Sequence, residues 1–534
     1  MDSPCFGKRR SLPFILVFIC TALLLVNHGI SGNGQERTLR IGTPDRVKSA
    51  NILLDSNLAM FAQLSNPPLI KMDDEHRFIG QLIERFEVSA DFTIWTFIPR
   101  KDLWWSDGQP VTPEDIRFTI EYTRDKSPAA GWMKQMIRNV HISNDGAVVV
   151  HLNQPYSRLE VEFATHRILP KHVWQNVGDP MKYTNPEVNI GCGPFYISRI
   201  DLNRGVILYE KNHYWRGRQP HLERIEIHLY QNRDVLSLAL EKGEVDTYFS
   251  YAASYPYSAL HRLRSTGRFH FIEFLNLGFP FLGLNLGKRP MSDLKFREAL
   301  TYAIDYTELI KLDALGYGEL PNRGFLPPNV RYRKDTPILE HNPEKSKEIL
   351  ELAGYKDKNK NGIREDREGK DFNLTLLAEP EQARIAELIK DYLHQVGVAT
   401  SLKMVDLSTW INLKDRFRYD LIIAGTSPWG MQMHAGLATG YFDARRTGEG
   451  VLHNIADPDF LRLCDNLLST RDDKELEAYA HALQEYYAGR LPAIPLYWNM
   501  IVTPFAKKFL GWITNPLYGI FTIDNFLSLE PAGQ

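Results

Sequence analysis

Residues 426–436 read TSPWGMQMHAG, with a histidine and two methionines beside a Trp-Gly pair. An imidazole next to thioethers is a donor set for a soft or borderline metal. The same residues serve equally well as the wall of an apolar pocket with one titratable group, or as core filling, because methionine packs irregular space. Shortly after, Arg445 and Arg446 stand in the Gly-bounded stretch YFDARRTGEG (441–450). Paired guanidiniums suit a carboxylate or phosphate through bidentate hydrogen bonds, and solvated surface charge is the plain alternative.

A third cluster lies in DKNKNGIREDRE (357–368). Asp357, Asn359, Asn361, the Ile363 backbone, Glu365 and Glu368 fall at positions 1, 3, 5, 7, 9 and 12 of a calcium loop, with Gly362 at the sixth. Arg364 takes the eighth place, where an apolar residue is usual, and the strand-like FNLTLLA (372–378) follows instead of a helix. A Gly/Asn turn accounts for the same residues, and any calcium here is structural. The chain has no Gly-x-Ser-x-Gly elbow, no His-Glu-x-x-His, no P-loop and no cysteine pair with zinc spacing. Binding, not catalysis, is the expected business of these residues.

The chain that must position them has 534 residues, enough for two or three domains. Its 43% hydrophobic and 24% charged residues are those of a large globular protein. Lys8-Arg9-Arg10 precede the 15-residue run LPFILVFICTALLLV (12–26), and small residues Gly29, Ser31 and Gly32 follow. This is the outline of a signal peptide. The run is shorter than the roughly 20 residues that span a bilayer, so export to the periplasm is expected; an uncleaved, membrane-anchored N-terminus is the alternative. Losing residues 1–32 removes three basic and one acidic residue and takes the formal charge from −2 to −4. Nothing in that balance suggests nucleic acid. Cys192 and Cys464 remain, either paired or as buried free thiols.

The elements follow from periodicity and caps. RTLRIGTP (37–44) and TIWTFIPR (93–100) alternate as strands, and Asp107-Gly108 is a hairpin turn. Thr112-Pro113 with Asp115 starts a helix by a capping box. Strands are expected at 204–217 and 221–230, a helix over 233–243 between Asn232 and Gly243, and a strand over 244–251. Longer helices then dominate: 294–312, 343–354 and 473–489, separated by strands at 372–378, 400–406 and 419–425. This alternation predicts an α/β fold whose sheet edges and loops face a cleft.

In order and wording, WTFIPRKDLWWSDGQPVTPEDIRFT (95–119), GCGPFYI (191–197), NHYWRGRQPHLERIEI (212–227), EKGEVDTYF (241–249), LGLNLGKRPMSDLKFREALTYAID (282–305) and NIADPDFLRL (454–463) resemble the family 5 extracellular solute-binding proteins of ABC transporters. That family contains oligopeptide, dipeptide, nickel-chelate and haem binders. The resemblance implies a periplasmic-binding-protein-like clamshell of the large, type II, three-domain form. Domain I would comprise 36–50, 189–288 and 495–534, domain II the insertion 51–188, and domain III 289–494. It also implies a monomer that is not an enzyme, requires no cofactor, and delivers a small solute to the permease subunits of an ABC transporter.

Carried over position by position, the resemblance puts Tyr248, Phe249, Trp410, the stretch Trp429–His434 with Met431, and Tyr497-Trp498 at the cleft. Peptide-binding members keep an acidic residue shortly after the strand that YDLIIAG (419–425) matches, where it meets the ligand's α-ammonium. Here no Asp or Glu occurs between Asp420 and Asp443. An ordinary free-amine peptide is therefore not the expected ligand, unless Asp443 or another carboxylate replaces the missing one. A nickel-type metal chelate completed by His434 is a further alternative.

Overall fold

Thr38–Thr43 becomes a strand because its alternate residues Leu39 and Ile41 are wholly buried between neighbours. It lies at the middle of the largest sheet of the computed structural model, which describes residues 37–73, 75, 77–127, 131–426, 457–515 and 518–533. In spatial order that sheet runs Phe269–Leu275, Trp498–Ala506, Thr247–Tyr248, Thr38–Thr43, Arg224–Leu229, Val206–Lys211 and Phe195–Asp201, with Gly318–Glu319 added to Trp498–Ala506. Thr38–Thr43 is parallel to both of its neighbours, and the outer pairs are antiparallel. Leu39, Ile41, Ile207, Ile225, Ile227 and Phe505 pack on Phe61, Phe521 and Phe526.

A second sheet runs Thr400–Met404, Leu374–Ala378, Leu421–Gly425, Pro280–Leu284 and Ala493–Pro495. Both of its faces are covered. Leu282, Leu376, Leu421 and Ile423 meet helices Leu294–Ala303 and Ala383–Gln395, while Phe281, Leu377, Ile422 and Ala424 meet Phe460 and Tyr487 of Pro458–Ser469 and Asp473–Arg490. Burial on both sides is why LIIA carries no polar alternation. A third, antiparallel sheet of Ile83–Val88, Ile94–Pro99, Val148–Leu152 and Ile137–Ile142 shares an apolar cluster with Trp215, Ile523 and Leu527 of the first unit.

Most expected elements form within a few residues of their bounds. The capping box is present at Thr112 and Asp115. Helix Arg233–Lys242 starts on the Asn232 side chain and stops at Gly243, whose φ is 79°. The long helix expected over 294–312 is two, Leu294–Ala303 and Tyr306–Leu312. Ile304 is extended and the Asp305 carboxylate accepts from the Glu308 amide, so an internal N-cap restarts the chain in a new direction. The strand expected over 244–251 is reduced to Thr247–Tyr248. Asp107-Gly108 makes a turn, with Gly108 at φ 86°, but only an isolated bridge between Trp104 and Pro110 flanks it. Cys192 and Cys464 are free and buried in different clusters.

GCG (191–193) crosses directly over the 64–66 segment. Neither glycine has a positive φ; each is required because a Cβ at Gly193 would lie 2.0 Å from the Leu64 carbonyl oxygen, and one at Gly191 would lie 2.2 Å from that of Ser65. The Gly193 amide donates to the Ser65 carbonyl at 2.8 Å. Both neighbours are backbone, so neither can swing aside. Gly193→Ala is expected to destabilise the protein by about 1–3 kcal/mol, read as a lowered denaturant midpoint at unchanged m-value.

Candidate functional site

The chain makes two short crossings between the two large sheets side by side, at 276–279 and 496–497, and between 284 and 374 it also sends Gly318–Glu319 to the edge of Trp498–Ala506. Asn276 donates its amide to the Asn499 carbonyl at 2.9 Å, and Leu496 donates to Pro280 at 3.0 Å, so the crossings run side by side. Trp498 is 1% exposed and stands edge-on to Phe279, with centroids 4.6 Å apart. Tyr497 is also buried and its hydroxyl donates to Asp313 Oδ2 at 2.6 Å. The structure thus places these two expected ligand residues in the link between the sheets. Burial holds the Asp313 carboxyl above its ordinary pKa against the lowering by Tyr497 and Arg384.

Tyr248 and Phe249 end the short central strand on the first sheet. They line a small cavity of ≈20 Å³ with Ser250, Phe274, Thr503 and Tyr518, room for about one water. Burial pushes the Tyr248 phenol up to about 12. Beside it, Asp45 accepts from the Ser250 hydroxyl at 2.8 Å and the Tyr251 amide at 3.1 Å. Burial outweighs these bonds and raises its pKa as well. Tyr518 also lines a larger cleft of ≈360 Å³, together with Gln63, Lys71, Gln81, Asn515 and Asp524.

Behind Tyr518 lies a residue that sequence reading missed. The Tyr518 hydroxyl donates to the Ala164 carbonyl at 3.0 Å, just past the end of helix Leu159–Phe163, and Arg167 follows three residues later in an isolated bridge with Pro68. The Arg167 side chain donates to the Ala59 carbonyl from Nε and Nη2, at 3.3 and 3.2 Å, while its buried Nη1 has no hydrogen-bond partner. Arg167 is 8% exposed, and among the described residues no carboxylate pairs with it. Burial lowers its pKa to about 10, so it remains charged at neutral pH. The sequence signal was present: one arginine inside the apolar run FATHRIL.

Trp410, on helix Leu407–Asp415, is half-buried and its indole N–H has no partner among the described residues; Lys414 Nζ lies 5.7 Å from its ring centre. Trp429, Met431, Met433, His434, Asp443, Arg445 and Arg446 lie outside the described residues, as does the N-terminal apolar run. Their stretch leaves the described fold at Thr426, whose hydroxyl accepts from the Phe279 amide at 3.0 Å.

The 357–368 loop folds as a series of side-chain turns. Asp357 accepts from the Asn361 and Gly362 amides, Asn359 from Asn361, and Asn361 from Ile363. Buried Glu365 accepts from the Lys358 and Asn359 amides. Glu368, expected at the twelfth ligand position, is exposed and pairs with Lys370 at 3.6 Å, and Asp371 instead receives both asparagine amides. Among the described residues no group of three or more His, Cys, Asp or Glu could hold a metal ion. As folded, the loop satisfies itself through hydrogen bonds and does not gather a cation shell.

A carboxyl whose pKa is raised on folding stabilises the protein at low pH and loses that contribution as pH rises through the folded value. Asp313→Asn keeps an acceptor for Tyr497 and removes the charge. The variant should melt higher than the parent at pH 7–8, with the gap closing as pH falls toward the ordinary carboxylate range near 4. Equal melting shifts at both ends of a pH series would contradict this.

Residues 77–448, more than half of the chain, match the family model described as bacterial extracellular solute-binding proteins, family 5 middle. The dipeptide-binding protein of Escherichia coli K12 is 24% identical over 478 residues, covering 82% of this chain and 84% of that protein. The nickel-binding periplasmic protein of the same strain is 24% identical over 365 residues, covering 67% and 69%. Among solved structures, NikA from Brucella suis in complex with Fe(III)-EDTA superposes with a TM-score of 0.81 at 20% identity, covering 92% of this chain and 99% of that one. AppA from Bacillus subtilis in complex with a nonapeptide gives 0.75 at 20%, covering 93% and 99%. No described helix is long and apolar enough to cross a membrane. The two sheets joined by paired crossings are the lobes of a periplasmic-binding-protein clamshell, and the chain belongs to the family 5 extracellular solute-binding proteins of ABC transporters.

Proposed function

We propose that this chain is exported, captures a small solute bearing a negative charge between its two lobes, and hands it to the permease of an ABC transporter. Arg167 carries the charge reading. A buried guanidinium without a counter-ion is costly, and such a cost persists where a ligand anion offsets it. Tyr518, hydrogen-bonded to Ala164 three residues before Arg167, lines two cavities, one shared with Tyr248 and Phe249, so in this reading movement of that ring opens a path from a bound carboxylate to Nη1. Trp410 on the second lobe and Tyr497 and Trp498 at the link belong to the same candidate site in this reading; Trp429, Met431, His434, Arg445 and Arg446 remain candidates from the sequence alone and lie outside the described residues.

The absence of an acid between Asp420 and Asp443 argues in the same direction, since a peptide's α-ammonium lacks its usual partner. A chelate bearing carboxylates, like the Fe(III)-EDTA in the Brucella suis structure, fits the charge. The protein works as a monomer with its N-terminal apolar run removed on export.

The experiment is to purify the exported protein from its host, denature it, and identify co-purifying small molecules by mass spectrometry. Anionic solutes are expected; a mixed population of unmodified peptides refutes the reading and points to Asp45 or Asp443 as the ammonium partner. Arg167→Met should lose the solute, by about 2–5 kcal/mol of binding or tens to thousands of fold. Its melting temperature should stay near the parent's, because the buried charge leaves along with its hydrogen bonds.

A further inference from the structure

The antiparallel sheet unit of residues 83–163 meets two neighbours in different ways. Toward the first lobe the contact is apolar and continuous: Trp95, Phe97, Val148 and Val150 share one cluster with Trp215, Ile523 and Leu527. Toward the second lobe, no apolar cluster among the described residues contains side chains of both partners. The contact there is a polar clamp. Arg471, in the turn between helices Pro458–Ser469 and Asp473–Arg490, donates from Nη1 to the Ser157 carbonyl at 2.6 Å and to both Glu160 oxygens at 2.8 and 2.9 Å. The Ser157 hydroxyl donates to the Leu468 carbonyl at 2.5 Å. The Arg471 guanidinium also lies 5.1 Å from the Trp95 ring centre.

The carboxylate of Glu160 is 2% exposed and has Arg158 on its other side at 3.8 Å. A charge so buried is stable only while its partner is in place. An apolar seam would fuse the second lobe to the insertion unit; a charge clamp holds it and separates as a unit once one partner is lost. From this we infer that Glu160 and Arg471 form a latch that holds the lobes closed independently of the solute. Opening then takes Arg471 away from the Glu160 carboxylate and leaves it with Arg158 of its own unit. The inference rests on the clamshell reading and not on the ligand's charge, so its failure leaves the Arg167 argument intact.

The test compares parent protein, Glu160→Gln, Arg471→Met and the double variant, all stripped of ligand, by small-angle X-ray scattering and hydrogen exchange. The expected result is a larger radius of gyration in each single variant, matched and not exceeded by the double. Amides of 157–160 and 468–472 should exchange about tenfold faster or more, the equivalent of 1.4 kcal/mol or more, while amides of the second sheet stay unchanged. Unchanged scattering and exchange in a folded variant overturns the latch. Arg471 is partly exposed, so Arg471→Met keeps the test decisive where Glu160→Gln unfolds. Faster exchange spread through the whole insertion unit assigns the pair to local stability and equally overturns it.

Discussion

The two short crossings at 276–279 and 496–497 are the constraint on which the rest of this molecule depends. Two sheets with separate cores are joined by two adjacent strands of backbone, bonded to each other on either side of the gap and flanked by Gly318–Glu319, which pairs with Trp498 and Asn499. Such a connection permits rotation but little shear. What sits there must keep its packing as the lobes turn, and the choice of Phe279 edge-on to Trp498, with Phe325 beside them, meets that need with rigid rings instead of flexible chains.

Burial at the crossings and polarity away from them divide the labour between stability and movement. Each lobe keeps its own main apolar cluster, and the apolar side chains that reach across, such as Tyr257 stacked on Tyr317 at 4.8 Å, lie next to the crossings. Contacts that do cross, such as the exposed Arg233–Glu381 pair at 3.8 Å, contribute little where water screens them. The buried Glu160–Arg471 contact is the exception because its carboxylate has left water. On the first lobe the small cavity lined by Tyr248, Phe249 and Tyr518 lies beside an aromatic core of Phe61, Phe249 and Phe521.

Much of the fold was legible because its signals are local. The capping box at Thr112 and Asp115, the Asn232-to-Gly243 helix and the doubly buried LIIA strand are each determined within a few residues. The break at Ile304-Asp305 was hidden, since the apolar stripe runs on through it and only the Asp305 cap redirects the chain. The role of glycines 191 and 193 is room for the segment at 64–66, which no local window contains. Tyr248 and Phe249 were expected at the cleft from the family resemblance, and the structure lines a small cavity with them. Arg167 was passed over because its significance is the missing counter-charge around it.

By itself, the sequence determined the order of strands and helices, their caps, and the family, since periodicity, turn chemistry and motif order are properties of neighbouring residues. Only the tertiary structure decided what each buried polar group meets. It placed Tyr497 and Trp498 at the link between lobes, gave the two loop asparagines Asp371 and not Glu368 as their partner, enclosed Arg167 without a carboxylate among the described residues, and set Glu160 beside two arginines. The reason is physical: secondary structure follows from bonds a few residues long, whereas the energy of a buried charge depends on every group within a few ångströms, and those come from segments hundreds of residues apart.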